Sequence, residues 1–135
     1  MTTSISIRGI AIRLGVAALI ALAANTAIAL AARQFDDGGI GAGLVPAQYL
    51  SLTLIGIVLG AVGWTVVSRY APRALRVVVP VVLVLTWIPD VLLLNSGATA
   101  GNVVGLMLMH VVVAIAVVAA FRGGTRRQEE ASSPL

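Results

Sequence analysis

The stretch VVVPVVLVLTWIPDVLLL, residues 77–94, contains one ionisable side chain, Asp90, and two prolines, Pro80 and Pro89. About 20 largely apolar residues are needed for a helix to cross a hydrocarbon core about 30 Å thick. This run is too long for an ordinary strand and reads as a membrane-crossing helix. Moving outward from it, a short polar segment, Asn95–Asn102, leads to a second apolar run, Val103–Phe121. In the other direction, Ser68–Arg76 leads back to Leu50–Val67, flanked by Tyr49 and Tyr70. The first run is Leu14–Ala32, closed by Arg33. Four spans, about 14–32, 50–67, 77–94 and 103–121, predict an all-α transmembrane four-helix bundle forming one domain over residues 1–122. The polar segment 123–135 is expected to be a disordered cytoplasmic tail.

Composition agrees. The 135 residues are 59% hydrophobic and 10% charged, where a soluble domain carries about a quarter charged residues. Mean hydropathy is +1.05. The net charge of +4 does not indicate a nucleic-acid partner, because the arginines flank apolar runs and leave no basic face. The absence of cysteine excludes disulfides, thiolate metal sites and dithiol redox chemistry.

Arginine placement orients the spans. Arg8 and Arg13 precede the first, Arg69, Arg73 and Arg76 separate the second and third, and Arg122, Arg126 and Arg127 follow the fourth. Only Arg33 falls on the opposite side, beside Asp36 and Asp37. The reading is N-in and C-in, a multi-pass protein of a bacterial plasma membrane with both termini cytoplasmic. Arg8, Arg13, the apolar run and Ala29-Leu30-Ala31 also resemble a signal peptide, although the run exceeds the usual signal core.

Helices in lipid associate through close packing, because lipid tails are as apolar as leucine. Gly56, Gly60 and Gly63 give the second span a smooth seam, and Gly101 and Gly105 repeat the spacing at the start of the fourth. The seam suits intramolecular packing and could equally mediate a homodimer or a larger membrane complex. Ala17, Ala21 and Ala24 lie on roughly one face of the first span. Pro89 removes a backbone donor and predicts a kink in the third span. The glycine-rich loop after Asp36 and Asp37 reads as flexible.

Asp90 and His110 are the only ionisable residues deep in the spans. By helical rise they lie about 6 Å and about 11 Å below the outer ends of their helices, with Asn25 at about 10 Å. Thr53 lies near the outer end of the second span, and Trp87 is one turn inward of Asp90. A charge at membrane depth is costly and should find a partner or face a cavity. Asp90 and His110 are therefore the candidate catalytic pair, with Asn25, Thr53, Trp87 and Met107 as candidate ligand-binding residues around a polar pocket opening toward the outer leaflet. The competing reading is an interhelical clamp without a ligand. No cofactor is expected. Met107 shares a face with His110, but methionines in an apolar helix ordinarily serve packing rather than copper or haem.

The strings Trp87-Ile-Pro-Asp90, Leu106-Met-Leu-Met-His110-Val-Val-Val-Ala114 and Gly60-Ala-Val-Gly-Trp64 resemble a family of small actinobacterial four-helix membrane proteins of unassigned function. Its members commonly show a Pro-Asp in the third helix and a Met-His in the fourth. The resemblance implies the four-span topology and marks Pro89, Asp90, Met109 and His110, but it implies no activity.

Three functions follow from these residues. One is an accessory protein or a binder of a lipid-soluble molecule. Another is a small enzyme using Asp90 and His110 as an acid–base pair on a quinone, polyketide or isoprenoid. A transporter or channel protomer ranks last, because the inner half offers Trp64 and Thr65 but no acid or histidine.

Overall fold

A computed structural model of the chain describes residues 7–132, with side chains described over 7–123. It contains four α-helices: α1 (Ile7–Arg33), α2 (Pro46–Tyr70), α3 (Leu75–Leu92) and α4 (Ala100–Ser132). Short 3-10 turns, Pro72–Ala74 and Leu93–Ser96, flank α3. All four are long and apolar enough to cross a membrane, α3 together with its flanking turns. The protein is thus a multi-pass membrane bundle. α1, α2 and α4 extend beyond the apolar runs, because helical backbone continues through polar residues that hydropathy excludes. Backbone helix in α4 reaches Ser132, through most of the segment read from composition as a disordered tail. The side chains of that tail after Gly123, and residues 133–135 altogether, lie outside the described residues.

Local chemistry sets the helix ends. Pro46 opens α2, where its missing N–H is not needed and its fixed φ suits a first turn. The Thr99 hydroxyl accepts the Asn102 N–H at 3.2 Å and caps α4. Pro80 and Pro89 both lie inside α3, which stays helical through Leu92 before tightening into a 3-10 turn.

α4 is the central helix. It packs on α1 most extensively, and also on α3 and α2; α1 meets α2, whereas α2 and α3 scarcely touch. Glycine permits two of these approaches. A Cβ on Gly105 would stand 2.6 Å from Ala32 Cβ, and one on Gly101 would stand 2.5 Å from the Phe35 carbonyl oxygen. In the same way Gly60 leaves 2.9 Å to Val117 Cγ2 and Gly56 leaves 3.1 Å to Val113 Cγ1. The Gly56 and Gly60 part of the seam is thus occupied by the chain's own α4. Gly63 differs, with nothing within 4 Å of an added Cβ. The buried face of α1 is Ala21, Asn25, Ala29 and Ala32, so only Ala21 of the expected alanine face is fully buried. Ala29 and Ala32 join the core with Leu44, Tyr49, Leu106 and Met109, which makes α1 an integral part of the bundle.

The loop between α1 and α2 is more ordered than its composition suggests. Asp36 accepts from the Thr99 hydroxyl at 2.5 Å through Oδ1 and from the Gly41 N–H at 2.9 Å through Oδ2. Asn102 donates to the Ala42 carbonyl at 2.7 Å. Gly43, at φ +75°, turns the chain where a side chain would collide with Leu106. Leu44 and Asn102 are both fully buried. The glycines that read as flexibility let this loop fold tightly over the start of α4.

Candidate functional site

The site begins with two residues on neighbouring helices. Asp90 follows Pro89 in the last turns of α3, and His110 lies near the middle of α4, where α3 packs. His110 Nδ1 stands 2.9 Å from Asp90 Oδ2 and 3.0 Å from the Leu106 carbonyl oxygen. A ring nitrogen facing two oxygens carries the hydrogen, which assigns the proton to Nδ1. Its direction favours the Leu106 carbonyl, so Asp90 Oδ2 lies in close contact with Nδ1 but lacks a well-directed hydrogen bond. Both contacts of His110 use Nδ1, leaving Nε2 for other chemistry.

Asp90 is buried, whereas the His110 side chain is 37% exposed. That exposure opens into a cleft of about 330 Å³ between α2 and α3, floored by α4. Gly56, Gly60 and Gly63 form a smooth strip along its α2 wall, and Val79, Val82 and Leu83 belong to the α3 wall. His110 and Thr86 mark its polar end, and Val67 and Leu75 its far end. The cleft exists because α2 and α3 lean on α4 without closing on each other. Two polar ties hold the C-terminal part of α3 in place: the Asp90–His110 contact, and a hydrogen bond from Trp87 Nε1–H to the Met107 carbonyl at 3.3 Å.

Asp90 and His110 therefore come together as the spacing of α3 and α4 suggests. The other four candidates do not line the cleft. Asn25 donates through Nδ2 to the Thr53 hydroxyl at 2.7 Å, forming a separate buried pair between α1 and α2. The remaining Asn25 oxygen, Oδ1, is buried without a partner. Trp87 engages the Met107 backbone rather than its thioether. The cleft also opens in a different direction from the pocket inferred from sequence: it runs from His110 toward the end that carries the Pro72–Ala74 turn, not toward the α1–α2 loop. That end is apolar, and Trp64, at one side of the cleft, stacks on Phe121 at 5.4 Å.

Sequence reading missed Thr86, Gly63 and the valines of α3 as cleft residues. A valine facing lipid and a valine facing a cleft have the same hydropathy, so only the separation of α2 from α3 distinguishes them. It also missed the Asp36–Thr99 contact, for which a hydroxyl cap before an apolar run was the available signal. Among the described residues no group of three or more potential metal ligands occurs.

The model of a family of unknown function, DUF6069, matches residues 6–127. The chain belongs to DUF6069. The match covers α1, α2 and α3 whole and α4 as far as Arg127, including both members of the Asp90–His110 pair. No curated protein and no solved structure matches the chain. DUF6069 membership thus agrees with a small four-span membrane protein and carries no activity with it.

Proposed function

We propose that the protein binds a lipid-soluble molecule in the cleft beside His110, with Asp90 positioning the imidazole. The observation that carries this reading is that the only histidine of the chain lies at the polar end of an otherwise apolar cleft. A clamp between α3 and α4 requires the pair but not the cleft. Burial of Asp90 orients His110, and Nε2 remains for a hydroxyl or carbonyl of the ligand. Ligand sites commonly combine an apolar lining with a few convergent polar groups. The Pro89-Asp90 and Met109-His110 strings acquire distinct roles in this reading: Asp90 and His110 serve the site, while Met109 packs in the core.

A second reading, an acid–base enzyme acting on the same ligand, draws support from the carboxylate beside Nδ1, which is how an imidazole is commonly oriented for proton transfer. The arginine pattern supports an orientation with both termini cytoplasmic, in a bacterial plasma membrane. In that orientation the cleft occupies the cytoplasmic half of the bundle.

Native mass spectrometry of the full-length protein extracted from membranes tests the binding reading. The wild type should retain a lipophilic molecule that His110→Ala loses, while helical content by circular dichroism is unchanged. Retention by both proteins, or by neither, contradicts the reading. Gly63→Leu provides a second probe if His110→Ala does not fold.

A further inference from the structure

A second groove, of about 470 Å³, lies between α1 and α2 at the end of the bundle that carries the Pro72–Ala74 turn. Ile7, Ala11 and Leu14 belong to its α1 wall, and Val62, Thr65 and Val66 to its α2 wall. It shares no residue with the cleft beside His110. The Thr65 hydroxyl donates to the Ala61 carbonyl of its own helix at 2.8 Å, so the walls present hydrocarbon to an occupant.

Arginines stand at the end of this groove. Val62, Thr65 and Val66 recur at helical spacing along α2, and the next position on that face is Arg69. On α1, Arg8 follows the groove residue Ile7. The Asn25–Thr53 hydrogen bond sets the register of these two antiparallel helices. Arg8 lies about 26 Å from Asn25 along α1, and Arg69 about 24 Å from Thr53 along α2, at the standard rise. The two arginines therefore reach the same depth. Arg13 adds a third charge nearby: its Nη2 lies 3.7 Å from where a Cβ on Gly9 would stand, so the guanidinium folds back one turn toward Arg8. Arg8 and Arg69 are exposed, and among the described residues no ion pair or hydrogen bond engages either. The described acids are elsewhere: Asp36 and Asp37 lie in the loop at the opposite end, and Asp90 meets His110.

We propose that this groove is a site for an anionic phospholipid, with its phosphate held by Arg8 and Arg69 and an acyl chain against the apolar walls. Charge selects this occupant. Guanidiniums gathered at one depth, with no acid beside them among the described residues, leave a positive potential. An anionic head cancels it, and a zwitterionic head cancels it only in part. Basic pockets between membrane helices are known to seat anionic head groups in this way. The groove contributes position. Attraction to a charged end alone would leave lipids free to move around the bundle, whereas walls running inward from Arg8 and Arg69 give one chain a fixed course.

The test uses the full-length protein in nanodiscs that hold dioleoyl phosphatidylglycerol and dioleoyl phosphatidylcholine in equal amounts. Native mass spectrometry counts the lipids that stay bound on release from the disc. Wild-type protein should retain phosphatidylglycerol over phosphatidylcholine by about tenfold or more. Arg8→Gln and Arg69→Gln should each cut that preference about fivefold. Arg76→Gln removes the same charge from α3, which α1 does not touch, and should change the preference by less than about twofold. Ala11→Phe keeps the charge but fills the groove, and should weaken retention of phosphatidylglycerol about fivefold. His110→Ala should leave it unchanged, which separates this lipid from any ligand of the other cleft. No preference for phosphatidylglycerol overturns the proposal. Equal losses from all three arginine substitutions, or full retention by Ala11→Phe, reduce the effect to diffuse attraction and overturn the site. Loss of phosphatidylglycerol on His110→Ala places the lipid in the other cleft and overturns it too.

Discussion

The two ends of the bundle are built differently. At the end bearing the α1–α2 loop, α1 and α4 approach so closely that Gly101 and Gly105 have no room for a side chain. Asp36, Thr99 and Asn102 fasten the loop there, and Leu44 fills the space beneath it. At the other end α2 and α3 stand apart, and a cleft lies between them. His110 lies where the first arrangement gives way to the second. The contrast shows how a chain with few polar residues can restrict a cavity to one part of a membrane bundle: small residues and short hydrogen bonds close one end, and branched aliphatics held by one central helix leave the other open.

Substitutions at two glycines should separate the ends most strongly. Gly105→Leu forces a side chain into Ala32 and should destabilise the protein by about 3 kcal/mol. Gly63→Leu enters open space and should change stability by less than about 0.5 kcal/mol. Thermal unfolding in a single detergent measures both, and equal losses would erase the distinction. Next in size is Asp90→Ala, which removes a tie between α3 and α4 and should cost about 2 kcal/mol. A double-mutant cycle with His110→Ala, read by the same unfolding, should give a favourable coupling between the two positions; additive losses would show that the 2.9 Å contact contributes nothing as a pair. The smallest effect belongs to Asn25→Ala. Hydrogen bonds between membrane helices average about 0.6 kcal/mol, and one Asn25 oxygen is already buried without a partner. A loss well above about 2 kcal/mol would mean that the Asn25–Thr53 pair anchors the bundle rather than assisting it.

The spans and their all-helical character were legible because about 20 apolar residues in a row have few other uses. The Asp90–His110 contact was legible for a related reason: two costly groups on helices joined by a short hairpin have every incentive to meet. The grouping of Asn25, Thr53, Trp87 and Met107 around them was not. Depth along a helix can be counted from sequence, but the direction each residue faces depends on which helices touch. Asn25 faces Thr53 of α2 because α1 packs on α2 and α4, and α1 makes no contact with α3 among the described residues. The cleft was equally hidden, since it arises from the weak α2–α3 contact and not from any polar residue. In the loop, glycine composition suggested freedom where the structure uses glycine for tight turns, as at Gly43.

The measurement closest to the central claim is nitrogen NMR of His110 in lipid nanodiscs. The chain has one histidine, so its two ring-nitrogen signals are free of overlap with other imidazoles. The account predicts that Nδ1 is protonated and hydrogen-bonded, and that adding the lipophilic molecule retained by the wild type and lost by His110→Ala moves the Nε2 signal while Nδ1 stays nearly fixed. An unprotonated Nδ1, or an Nε2 signal that this molecule leaves unmoved at saturation, would contradict it.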